Sequence, residues 1–359
     1  MARAKTKAKA KATKAKSIPR TRTAPRPSPR KALEVAWLQV ASKALAAAVE
    51  LKLFDAVGAG ATGAEIARRA AVSERGAVRL LDALTALGLV LKEGRRYLLT
   101  ADSAGTLVST VPGYVGEAIL GNDRRRPEWD SLAEVVRSGQ PLRRVEDPAV
   151  AAAFFPAIAR ALYRSNRVAA ELGAEKVASL GLKPRLVLDV AAGSAVWGIA
   201  AAHQFPDALV TALDFPDTLA IARGFVREEK LESRFAWLEG DMHGVALGAE
   251  SYDLILLGHI LHSEGEARSR ALLARVAHAL KPGAAVLIAE VLPDEARRER
   301  LQPLLFSLAM LLQTGSGDTF TLPEIRAWLM EAGFAKVVPF DAGASSPLIL
   351  ALKPKRKRT

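Results

Sequence analysis

Apolar and polar positions follow two periods along this chain, and the change of period divides it. From Ala32, apolar side chains fall at helical spacing (Leu33, Val35, Ala36, Leu38, Val40, Ala44, Leu45), which predicts a long Ala-rich amphipathic helix to about Leu51. Thr62-Gly63-Ala64-Glu65 has capping-box spacing and opens a short helix to Ala70. Ser73 caps the next helix, whose apolar face carries Val78, Leu81, Leu84 and Leu87 and which stops at Gly88. Residues 89–99, centred on Gly94, read as a β-hairpin, and three helices with a hairpin make a winged helix. Residues 107–183 are mostly helical. PEWDSLAEVVRSGQP is a helix ended by Gly139 and Pro141, and the stretch from Asp147 to Leu182 reads as one or two long helices interrupted near Pro156.

At Arg185 the period changes. Apolar runs at 186–190, 209–213, 235–238, 254–257, 285–291, 336–340 and 348–352 are separated mostly by helical stretches near 195–204, 218–229, 266–280, 301–312 and 323–331. This alternation predicts an α/β fold, a mostly parallel sheet of seven strands with helices on both faces. No helix separates the last two strands, so they should form a hairpin and leave one strand antiparallel. The chain then divides into a basic tail (1–31), a winged-helix domain (32–105), a helical linker and substrate lid (106–183), an α/β domain (184–352) and a second basic tail (353–359).

The net charge of +13 does not describe the body of the chain. Residues 1–31 hold twelve Lys and Arg and residues 353–359 hold five, with no acid in either, so 34 basic against 38 acidic side chains leave residues 32–352 at −4. The first tail lacks the apolar content to bury anything and is expected to be disordered. A solubilising role fits it, and so does a weak, salt-sensitive contact with nucleic acid or an anionic surface. The winged helix admits DNA readout or dimerisation. Its second helix carries Glu74 and Asp82 beside Arg75 and Arg79, less basic than a groove-reading helix, which favours a dimerisation module and a homodimer. The chain contains no cysteine, which removes disulfides, thiolate metal sites and cysteine nucleophiles. No apolar run reads as a membrane span or a secretory leader, and a cytoplasmic location is expected.

The first α/β strand runs through Asp189 into a small-residue turn, Ala191-Ala192-Gly193-Ser194-Ala195, and then a helix. That is the entry unit of a nucleotide-binding sheet, where small residues let a ligand lie against the backbone. Asp214 ends the second strand, where an acid accepts both hydroxyls of a ribose or, more plainly, caps a helix in competition with Asp217. Gly240-Asp241-Met242 ends the third strand. There the carboxylate can accept from an adenine amino group with Met242 on the ring face, or the segment is a simple turn. Phe154, Phe155 and Tyr163, with Phe306 and Met310 further on, are either core packing or the wall of an apolar substrate pocket. His259 is expected to face the core. His203, His243 and His278 have no ligand spacing, so no metal is expected.

Taken in order, LFDAV…EIARRA…RLLDALTALGLV, LVLDVAAGSA, TALDFPD, GDM, LILLGHILH, ALKPGAAVLIAEVL and GDTFTLPEIRAWLMEAGF resemble a family. It is the class I S-adenosylmethionine-dependent small-molecule O-methyltransferases with an N-terminal winged-helix dimerisation domain. The resemblance runs from about Leu33 to Leu352. It implies a Rossmann-like sheet with its last strand antiparallel, S-adenosylmethionine as methyl donor with S-adenosylhomocysteine as product, and a hydroxyl on an aromatic or polycyclic small molecule as acceptor. Asp189 and the backbone from Ala191 to Gly193 would hold the methionine part of the cofactor, Asp214 the ribose, and Asp241 with Met242 the adenine. Gly258 would touch the cofactor near the acceptor, His262 would be the general base, and Glu290 would steady it. A phenol, with a pKa near 10, needs such a base, and an imidazole suits it near neutrality. The chain departs from the family at Ala191 and Ala195, where glycine is usual, and at Ser263 and Glu264, where an acid and an aromatic residue are usual. Asp318 lies in the segment that often supplies a second acid.

Overall fold

The computed structural model of the chain describes residues 28–343 and 346–356, so most of the two basic tails lies outside the described residues. Among the described residues, 28–40 belong to one unit and those from Ala41 to a second. Helix α1 (Arg30–Glu50) begins two residues earlier than the Ala32 start expected, and its first half exposes Leu33, Val35, Trp37 and Leu38. By length and composition α1 is apolar enough to cross a membrane. The sequence showed no uninterrupted apolar run there because Glu34, Gln39, Ser42 and Lys43 break it.

From Ala41 a winged helix follows. Helices α2 (Leu53–Val57), α3 (Gly63–Arg69) and α4 (Glu74–Ala86) precede a wing of β2 (Val90–Glu93) and β3 (Arg96–Leu99), with β1 (Ala61–Thr62) added at the edge of β3. The expected caps are formed: Thr62 and Glu65 make a reciprocal capping box, and the Ser73 hydroxyl accepts from the Gly76 N–H. Phe54, Ile66, Leu81, Leu84 and Tyr97 close a core of their own. Asp82 on α4 is committed to Lys92 (2.6 Å) and the Tyr97 hydroxyl (2.8 Å), which ties the helix to its wing.

The connecting region holds α5 (Ala101–Thr106), α6 (Gly116–Arg124), a 3-10 segment (Arg126–Ser131), α7 (Leu132–Ser138) and α8 (Pro148–Ser179). Helix α8 runs unbroken through Pro156, where an interruption was expected. The proline forfeits one backbone hydrogen bond. The helix persists because Ala159, Ala169, Ala170, Ala174 and Val177 along it are buried.

The α/β domain comprises β4 (Leu186–Val190), α9 (Val196–Gln204), β5 (Leu209–Asp214), α10 (Pro216–Glu228), β6 (Phe235–Glu239), β7 (Tyr252–Gly258), α11 (Leu261–Ala279), β8 (Leu280–Ala289), α12 (Leu301–Gln313), α13 (Leu322–Glu331), β9 (Lys336–Phe340) and β10 (Leu348–Leu352). Its sheet has the order β6-β5-β4-β7-β8-β10-β9. Strand β10 inserts between β8 and β9 and runs antiparallel to both, so the last strand is the antiparallel one. Two apolar layers cover the two faces. The strands read as continuous apolar runs because both faces are covered. Leu254, Ile255, Leu256 and Leu257 of β7 are each at most 1% exposed, and burial of each side chain is worth about 1.5–3 kcal/mol. The chain reverses direction across the sheet at β4, flanked by β5 and β7, and a crevice outside the carboxyl ends of parallel strands at such a point is where ligands bind.

Candidate functional site

Five strand ends build the site. Strand β4 ends in a turn with three residues in the left-handed region: Ala191 (φ 52°), Gly193 (φ 58°) and Ala195 (φ 59°). Two of the three are alanines, so the turn keeps a glycine-type backbone at positions without glycine. The Asp189 carboxylate lies beneath it, fully buried. Its Oδ2 accepts from the Gly198 N–H at 2.9 Å, while Oδ1 is buried with no partner among the described residues. Burial, with Asp214 adding repulsion, pushes the Asp189 carboxyl up to about 8. At the end of β5, Asp214 accepts from the Gly193 N–H at 2.9 Å and the Phe215 N–H at 2.7 Å, and burial raises its carboxyl to about 6. The first bond closes the turn over β5. Past β6, Asp241 Oδ1 accepts from the His243 N–H at 2.9 Å, and Met242 is buried beside it. A buried acceptor without a donor and a narrow backbone cradle suit a ligand that brings a cation and hydroxyls.

Strand β7 ends at Gly258. A side chain there would lie 2.3 Å from the Trp197 Nε1, so only glycine lets α9 close against the strand. The next residue, His259, is left-handed (φ 63°), and its N–H bonds to the Ala289 carbonyl at 2.8 Å. This turn lifts His262 over the end of β8, where Glu290 receives it. The carboxylate of Glu290, 4% exposed, accepts from the Leu261 N–H at 2.6 Å, the His262 N–H at 3.3 Å and the Val291 N–H at 3.1 Å. Its Oε2 also lies 2.8 Å from His262 Nδ1. Burial pushes the Glu290 carboxyl up, but the charge and hydrogen bond of His262, with His259 and the Val291 N–H, outweigh it and hold the carboxyl below its usual value. An ionised carboxylate only accepts, so Nδ1 carries the proton and Nε2 presents a lone pair. Phe306 stands edge-on to the His262 ring at 5.0 Å. Met310 lies one turn further along α12 on the same face.

The structure therefore brings Asp189, Ala191, Gly193, Asp214, Asp241, Met242 and Gly258 to one set of strand ends, and joins His262, Glu290 and Phe306 beside them. It treats the aromatic residues of α8 differently. Ala159 approaches Gly193, which turns this face of α8 toward the cofactor loop, and Phe155 lies one turn before it. Phe154 packs edge-on against Phe155 and lies under the guanidinium groups of Arg143 and Arg125 at 5.3 and 5.9 Å. Tyr163, one turn past Ala159, was expected in the pocket. It is stacked on Phe225 at 3.8 Å and donates to Glu229 at 3.0 Å within the core, because α10 covers it. Asp318 was a candidate second acid. Its carboxylate faces Arg297 (2.9 Å) in solvent, and only its backbone N–H meets the site, at the His262 carbonyl (3.0 Å).

Two features escaped sequence reasoning. His259 lies between the core residue Trp197 and His262, with ring centroids 6.2 and 6.5 Å away, and the ligand atoms of His259, His262 and Glu290 lie within 4.8 Å of one another, a grouping able to hold a metal ion. The three-residue spacing of His259 and His262 was the available signal, but the left-handed turn that makes them neighbours was not. Glu264, at a position where an aromatic residue is usual, is buried and paired with His243 (2.7 Å) and Arg268 (2.6 Å).

Two family models match the chain, an O-methyltransferase domain over residues 155–335 and an O-methyltransferase dimerisation domain over residues 33–109. The tetracenomycin polyketide synthesis 8-O-methyl transferase TcmO of Streptomyces glaucescens is 30% identical over 341 residues, covering 91% of this chain and 97% of that protein. The 3-hydroxy-5-methyl-1-naphthoate 3-O-methyltransferase of Streptomyces sahachiroi is 31% identical over 322 residues, covering 87% of this chain and 92% of its own. Among solved structures, human N-acetylserotonin methyltransferase in complex with SAM superposes with a TM-score of 0.74 at 26% identity, covering 93% of this chain and all of that one.

Proposed function

The chain belongs to the S-adenosylmethionine-dependent small-molecule O-methyltransferases that carry an N-terminal dimerisation domain, and from that premise we propose that it methylates a hydroxyl on an aromatic or polycyclic acceptor with His262 as general base. The observation that carries this reading is the His262–Glu290 pair at 2.8 Å, with the imidazole tautomer fixed by a buried, ionised carboxylate. Glu290 orients the ring and stabilises the imidazolium that forms when Nε2 takes the hydroxyl proton.

S-adenosylmethionine supplies a methyl group already activated on a sulfonium, so the protein's task is alignment and proton removal. The residues present fit that cofactor. Asp189, with its unpartnered Oδ1, would receive the amino group of the methionine end, Asp214 the ribose hydroxyls, and Asp241 with Met242 the adenine. The dimerisation domain and the exposed Leu33, Trp37 and Leu38 of α1 support a homodimer. Polycyclic aromatic acceptors are supported by the names of the two Streptomyces relatives and by Phe306 beside the base, with Met310 one turn further on the same helix face.

His262→Ala should lower kcat on a phenolic acceptor by about 10²–10⁴-fold and leave the affinity for S-adenosylhomocysteine nearly unchanged. Steady-state kinetics and calorimetry on the same preparations check this. Parallel loss of cofactor affinity would remove the base role. A loss of turnover below about tenfold would mean a nitrogen or carbon acceptor that needs alignment and no base.

A further inference from the structure

Four rings follow one another across the site, Trp197, His259, His262 and Phe306, with centroid separations of 6.2, 6.5 and 5.0 Å. His262 has Glu290, and Phe306 packs edge-on against His262. His259 has no such engagement. Its ring is half-buried and makes no hydrogen bond with any described residue. The backbone places it there, through the left-handed turn at φ 63° and the 2.8 Å bond from its N–H to Ala289, with Trp197 beside its ring. The ring nitrogens are not sealed in the interior, so they stay open to a group that enters the site. Burial, more than the opposing influence of Glu290, pushes its pKa down to about 4, so near neutrality one nitrogen donates and the other accepts.

A metal ion does not account for this arrangement. Glu290 already accepts from Leu261, His262 Nδ1, the His262 backbone and Val291, which leaves two imidazoles as ligands where stable sites supply three or four. Two imidazoles this close suit two oxygens of one small molecule. Oxygens on adjacent or peri carbons of an aromatic ring lie about 2.7 Å apart, at hydrogen-bonding distance from each other. In free solution such a pair is joined by an internal hydrogen bond that masks the reacting hydroxyl. A donor to the second oxygen would free it.

We propose that His259 binds a second oxygen of the acceptor, so that the substrate class is an aromatic ring with a hydroxyl or carbonyl ortho or peri to the hydroxyl methylated at His262. This rests on the reading of His262 as the base. His259 is here a specificity-determining residue: it holds the neighbouring oxygen while His262 takes the proton.

The test is calorimetric binding of matched probes, phenol against catechol and 2-naphthol against 2,3-dihydroxynaphthalene, to protein saturated with S-adenosylhomocysteine. Wild type should prefer the diol of each pair by about tenfold, the scale of one net hydrogen bond. His259→Phe should bring the ratio to about one while mono-ol binding stays unchanged. His259→Asn, which tolerates the left-handed backbone and keeps a donor and an acceptor, should retain part of the preference. An unchanged preference in His259→Phe overturns the proposal. So does a wild-type preference that disappears with EDTA, which would reveal a bridging metal. A wild type that binds S-adenosylhomocysteine and methylates 2-naphthol, but binds diol and mono-ol alike, overturns this inference and leaves the base reading standing. Failure to bind S-adenosylhomocysteine instead overturns the reading beneath it.

Discussion

At the scale of single residues, the cofactor turn shows how a motif survives without its usual residues. Ala191 and Ala195 adopt φ of 52° and 59°, where an L-residue is strained by about 1–2 kcal/mol. Ala191→Gly relieves that strain against a loss of about 0.4–1 kcal/mol from the freer unfolded chain, and should raise stability by roughly 0.5–1 kcal/mol. Ala195 is fully buried, so Ala195→Gly also loses a methyl contact worth about 0.8 kcal/mol and should be near neutral. Urea unfolding of both beside Ala200→Gly in α9, a buried helical position expected to lose about 2 kcal/mol from helix propensity and the lost methyl together, checks this. Equal losses in all three variants would mean the turn is unstrained. Asp189, Asp214 and Asp241 were legible in the sequence because each ends or follows a strand, whereas His262 and Glu290 were legible only through the family resemblance. His259 and Tyr163 were not. Their surroundings are set by Trp197 and Phe225, which approach from α9 and α10 and leave no local signature.

At the scale of elements, the winged helix and the sheet were readable because each strand and helix carries its own punctuation. The capping box at Thr62, the left-handed C-cap at Gly139 and the missing helix before β10 all match the structure. Helix α8 was misread at Pro156 because burial along its length offsets one lost bond, and burial is a tertiary property. Pro156→Ala should therefore restore a bond to Ala152 and raise the unfolding free energy by about 1 kcal/mol or more, measured by urea melts. A destabilised variant would show that the proline shapes α8 for packing. Helix α11 likewise bends at Gly265 (φ 73°), where a side chain would lie 2.6 Å from the Ser316 carbonyl, so the loop after α12 can seat against the His262 turn.

At the scale of the whole molecule, basic tails of unassigned role flank an acidic body, and the chemistry gathers where the strand ends of the sheet meet. Both carboxylates of the cradle are raised by burial, Asp189 to about 8 and Asp214 to about 6. A raised carboxyl favours its neutral form, so burying Asp189 costs progressively more as pH rises from the ordinary carboxylate range through about 8. A cationic ligand reverses that cost by favouring the anion, and the proton must leave when it binds. The most direct test is calorimetric titration of S-adenosylmethionine at pH 7 in two buffers of different ionisation enthalpy. The expected result is one site per chain with net proton release, and loss of that release in Asp189→Asn. No binding in either buffer, or binding with no proton released, would contradict the cradle assigned to Asp189.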